Sequence, residues 1–225
     1  MIIKGVNFMT KKRYTIALLF VLPLAFLFSA FQASAIPQDH NKNITCNLLT
    51  TKLKMEKRRL WSEHVFWTRN LIISDIDNLQ DKQAVLQRLL RNQDDIGNSI
   101  KPYYGDKAGN ELTKLLRDHI LVAVKVVDAA KKGDTKALEV NNKEWYQNAN
   151  NIATFLSKAN PNWSKAELKQ MLDGHLQLIT EEVVARLKKD WQANIAAIDK
   201  GERHMLEFAD IISNGIIKQF PNKFQ

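Results

Sequence analysis

Between residues 38 and 220 the chain contains only two prolines, Pro102 and Pro161. Proline removes a backbone donor and clashes with the preceding turn, so stretches without it permit long helices. Apolar residues recur at three- and four-residue spacing, and no alternating run is long enough for a strand. Gly105, Gly109 and Gly133 fall with the prolines at segment boundaries. The spacing predicts six helices, over about 51–80, 81–101, 109–131, 134–159, 164–179 and 180–218.

Each boundary has a mechanism. Pro102-Tyr103-Tyr104-Gly105-Asp106 is a turn cluster. Lys131-Lys132-Gly133-Asp134 puts cations on a helix C-terminus, glycine just past it and an N-cap acid on the next helix. Asn160-Pro161-Asn162 stops the fourth helix, and Ser164 with Glu167 has the form of a capping box. Thr180, followed by Glu181 and Glu182, reads as the cap of the sixth helix, with a break near Lys189-Asp190 as the alternative. Short connections imply antiparallel neighbours, hence an all-α, antiparallel up-down bundle of about six helices. Residues 51–225 suit one domain. The segment 36–50 reads as an extended or disordered lead-in containing His40.

The N-terminus has its own grammar. Lys11, Lys12 and Arg13 precede an apolar run from Tyr14 to Phe31, followed by Ala33-Ser34-Ala35 and Pro37. Basic region, apolar region and small residues make a secretory signal peptide over 1–35, with Met9 as an alternative start. Export implies an extracytoplasmic product, periplasmic or secreted, with no membrane association after cleavage. The leader carries four of the chain's 33 bases and none of its 24 acids, so 33 less four leaves 29 against 24. That mild excess, without a basic block, argues against nucleic-acid binding. Cys46 is the single cysteine. It excludes a disulfide framework and leaves a disulfide-linked homodimer open as a pairing in an oxidising compartment.

Four strings carry a resemblance: LWSEHVFWTR at 60–69, QDDIG at 93–97, NPNW at 160–163 and QFPNKF at 219–224. With them the mature chain resembles a family of exported, all-helical, functionally uncharacterised proteins of bacteria and archaea. The resemblance implies fold and compartment. Some members of that family carry a glycosyltransferase label, and the matching feature in this chain is a lone D-x-D, Asp75-Ile76-Asp77, set in a helical pattern.

The chemistry-bearing motifs are missing. The residues three before His64, His119, His175 and His204 are Trp61, Leu116, Leu172 and Gly201, so no di-iron Glu-x-x-His exists. Neither a His-Glu-x-x-His, a P-loop nor a nucleophile elbow occurs, and no catalytic residue is identifiable. What remains are polar residues inside apolar stripes: His64, Gln93, His119, Asn148 and His175. A buried polar group left unpaired costs about 1–3 kcal/mol, so each needs a partner.

Register across the predicted turns suggests the partners. His175 mirrors onto Asn148, then to within two residues of His119, then onto Gln93 and Thr68, while Glu182 lies across the fifth break. His64 falls about one turn from this layer. The expectation is therefore one polar layer crossing the bundle. His119 and His175 would be primary ligands, Glu182 and His64 auxiliary, and Asn148, Gln93 and Thr68 would orient them. Such a set suits zinc, copper or iron, or a small polar ligand. The alternative is a structural or protein-interaction bundle in which the same residues only form a register-fixing hydrogen-bond network. Arg69 and Arg88 are expected to pair with Asp94 or Asp95, and the five tryptophans to serve as core and turn anchors.

Overall fold

The computed structural model describes the backbone of residues 38–225 and the side chains of residues 48–225. The expected signal peptide and the side chains of His40 and Cys46 lie outside the described residues. Among the described residues six α-helices follow one another: α1 Gln38–Ile76, α2 Lys82–Asn98, α3 Lys101–Lys132, α4 Thr135–Ala159, α5 Lys165–Leu187 and α6 Trp191–Gln219. A 3-10 turn, Pro221–Phe224, closes the chain. No helix among the described residues is long and apolar enough to cross a membrane.

Chain neighbours pack against each other from α1 to α6, and α6 returns to α1, so the helices form a closed ring. Successive helices run in opposite directions. The odd-numbered helices α1, α3 and α5 therefore run parallel, and α1 also touches both α3 and α5 across the ring. The core between them is apolar, with Leu60, Leu89, Ile152, Leu168, Leu176, Phe208 and Ile216 almost wholly buried.

Local chemistry sets most of the ends. Asp134 accepts a hydrogen bond from the Ala137 amide at 3.0 Å and caps α4, and Ser164 accepts from the Glu167 amide to cap α5. Gly133 takes the left-handed conformation (φ 68°) that ends α3. The Pro102–Asp106 turn is absorbed into α3 as an interruption at Gly105, whose φ of 81° falls where glycine alone is unstrained. At the C-terminal end of α2, Lys57 reaches from α1 and donates to the Ser99 carbonyl at 2.8 Å, placing a buried cation on the helix C-terminus.

Two expectations are corrected. The segment 36–50 is not extended from Gln38 onward, because α1 begins there. Neither proline nor glycine interrupts the sequence between Pro37 and Gly97, so the first long helix has no reason to wait for residue 51. The fifth break lies at Lys188–Asp190, not at Thr180. The Thr180 hydroxyl donates back to the Leu176 carbonyl at 2.9 Å, an intrahelical bond, while Asp190 accepts from the Ala193 amide and caps α6.

Candidate functional site

One histidine from each of the three parallel helices meets the others in the core. His64 (α1) lies 5.4 Å from His175 (α5), ring centroid to ring centroid. His119 (α3) stacks on His175 at 6.2 Å. All three are nearly inaccessible. The expected displacement of His64 by one turn is corrected. The α1–α2 connection is centred lower than the sequence suggested, which raises His64 to the level of Gln93.

The even-numbered helices supply amide side chains that hold two of these rings. On α4, Asn148 donates to the Leu115 carbonyl at 3.0 Å, which turns its Oδ1 toward His119 Nδ1 at 2.8 Å. Trp145, one turn earlier on α4, donates its indole N–H to His119 Nε2 at 3.1 Å. An imidazole that accepts at Nε2 carries its proton on Nδ1, so His119 donates to Asn148 and both nitrogens are engaged. On α2, Gln93 Nε2 sits 3.0 Å from the Leu89 carbonyl, 3.0 Å from Asn92 Oδ1 and 3.3 Å from His64 Nδ1. Asn92 in turn donates to the Leu60 carbonyl. An amide nitrogen only donates, so in this contact His64 Nδ1 is the acceptor, sharing the two Gln93 N–H groups with Leu89 and Asn92.

His175 is different. Its Nδ1 is buried and has no hydrogen-bond partner in the protein. The residue lines a cavity of about 30 Å³ together with His64, His119, Thr68, Asp75 and Trp145. The Thr68 hydroxyl is likewise buried and without a protein partner. Burial lowers the pKa of every ring. His64 falls to about 3, helped by the nearby His119. His119 falls to about 4, opposed by its bond to Asn148, and His175 lies well below the ordinary histidine value. The cavity is therefore walled by neutral imidazoles at physiological pH.

Glu182 does not join this group. With the break moved to Lys188–Asp190, it stays on α5 seven residues beyond His175, about 10 Å along the axis. There it faces Arg69 and Arg186, and burial raises its pKa to about 7. Among the described residues no three His, Cys, Asp or Glu side chains are placed to share a metal ion. The four-ligand arrangement of His119, His175, Glu182 and His64 is not assembled. Glu182 is too far along the helix, and both nitrogens of His119 are hydrogen bonded.

The D-x-D acids have structural partners. Asp75 is buried and pairs with Lys82 at 2.8 Å and Lys131 at 3.6 Å. Asp77 pairs with Arg186. Arg88 and Arg69 do not take the expected acids. Arg88 bonds Glu63 at 3.2 Å and stacks over Trp67, because it projects toward α1, and Asp94 belongs to Arg117. Trp145 was legible only as a core residue. The missed signal is its position three residues before Asn148, on the same helical face. Comparisons with protein-family models, curated proteins and solved structures give no match to this chain.

Proposed function

We propose that the chain is an exported helical-bundle binding protein whose core cavity takes a small uncharged ligand that hydrogen bonds to His175. The observation that carries this reading is the buried, unpartnered Nδ1 of His175. Its two sister histidines are both held by amides from neighbouring helices. A buried ring nitrogen without a partner costs about 1–3 kcal/mol, which a ligand's hydrogen-bonding group would recover. Thr68 offers a second hydroxyl contact in the same cavity. Neutral rings carry no positive charge to attract an anion. The space of about 30 Å³ limits the enclosed part of the ligand to roughly the size of two water molecules. Export rests on the leader grammar of residues 1–35.

The amide anchors on His64 and His119 favour a second reading, in which the layer only fixes helix register. Nitrogen-15 spectra of histidine-labelled protein separate the two. Titration with methanol is expected to move the His175 ring signals saturably, and Thr68→Val to weaken the response. A response to zinc chloride with none to methanol would replace the neutral ligand by a metal. No saturable response to either would leave the register network and overturn the binding reading.

A further inference from the structure

A groove of about 250 Å³ runs between α3, α4 and α5, lined by apolar side chains that include Val126, Ala130, Leu138 and Val184. Three residues, Val127, Trp145 and Ile179, line both this groove and the histidine cavity. A single layer of side chains thus lies between a surface channel and His175. Within that layer Trp145 is fixed by its bond to His119. Val127 and Ile179 are aliphatic and make only packing contacts, so rotamer changes there need break no hydrogen bond. Of the polar residues that line the groove, Thr180 bonds Leu176 and Gln177 bonds Glu181, while Asn142 and Tyr146 add an amide and a phenol to the lining.

We infer that groove and cavity are two halves of one site, which takes a neutral amphiphile: an apolar chain along α3–α4–α5 and an alcohol or amide head against His175 and Thr68. This rests on the binding reading above and names its ligand class. The apolar wall matches a hydrocarbon chain, whose burial is favourable in proportion to the area removed from water. An engineered cavity of about 150 Å³ holds a benzene ring, so the groove has room for a chain of roughly eight to ten carbons. The head must be uncharged, because the cavity presents neutral imidazoles and its one carboxylate, Asp75, is already paired with two lysines.

Titration calorimetry of the purified chain with 1-octanol, together with the histidine nitrogen-15 spectra, tests this. Octanol is expected to bind saturably, to move the His175 signals, and to bind about tenfold more tightly than n-octane, which lacks the head. Val184 is exposed, so Val184→Trp fills the groove without disturbing the core. It should weaken octanol about tenfold and leave the methanol response of His175 intact, and Ala130→Leu should do the same from the opposite wall. Octanol binding that survives both variants, or that leaves His175 unmoved, overturns the groove assignment while methanol still reports on the cavity. Loss of both responses in the parent protein would overturn the cavity reading as well.

Discussion

Trp145 donates its indole N–H to Nε2 of His119 at 3.1 Å, and this one contact fixes which nitrogen of a buried imidazole carries the proton. The proton is directed to Asn148, whose amide is oriented by the Leu115 carbonyl. The chain of bonds runs from α4 to α3 and leaves His119 no free lone pair. His175, by contrast, has a buried Nδ1 with no hydrogen-bond partner in the protein.

Replacing Trp145 by Phe keeps the ring and removes the donor. His119 Nε2 is then buried without a partner, and the expected loss is about 1–3 kcal/mol in urea unfolding. The nitrogen-15 shifts of His119 should also lose the signature of a single fixed tautomer. A variant as stable as the parent, with unchanged His119 shifts, would show that the bond does not order the ring.

Stability should depend on acid in a defined window. Each histidine has a folded pKa depressed below its unfolded value of about 6.5. Below that value the unfolded chain binds protons that the folded chain refuses. Stability therefore holds above about pH 6.5 and falls as the pH drops toward 4 and 3, by up to about 1.4 kcal/mol per pH unit for each histidine. Glu182 acts with opposite sign. Its raised pKa of about 7 favours the folded state at low pH, and that contribution is lost as pH rises from about 4.5 to 7. Three histidines outweigh one carboxyl, so urea midpoints are expected to rise from pH 4 to pH 6.5. The slope should flatten in His175→Phe. A flat profile over that range would contradict the buried neutral rings.

Glycine-to-alanine changes should split by position. At Gly97 an added Cβ would come within 1.9 Å of the Thr113 hydroxyl and 2.7 Å of the Gly109 carbonyl, so α2 and α3 would have to move apart. Overpacking of this kind costs about 1–3 kcal/mol. At Gly201, inside α6, the same methyl meets nothing within 4 Å. There the gain in helix propensity should stabilise by about 0.5–1 kcal/mol. Thermal unfolding of both variants reads the two signs directly.

The ring of helices was legible because its punctuation is local. Asp134 and Ser164 cap the helices that the sequence assigned to them, and Gly133 ends α3. The His119–Asn148 contact followed from reflecting residues across a turn that local chemistry had already placed. Thr180 misled because a threonine hydroxyl can satisfy itself on the preceding turn, and it does so on Leu176. With that boundary went Glu182, whose expected approach to His175 depended on it. Trp145 stayed hidden for a different reason. An indole in an apolar stripe is read for its area, and the partner of its single N–H lies on another helix.

His64 and His175 stand on the first and fifth helices, with three complete helices threaded between them. Closing such a separation has an entropic cost that only later contacts repay. The imidazole triangle is therefore among the last pieces of the architecture to come into being. A truncated or half-synthesised chain would present His64 and His119 already steadied by their own hairpin partners, yet would have no His175 to offer. The cavity belongs to the finished polypeptide and cannot be cut out as a fragment.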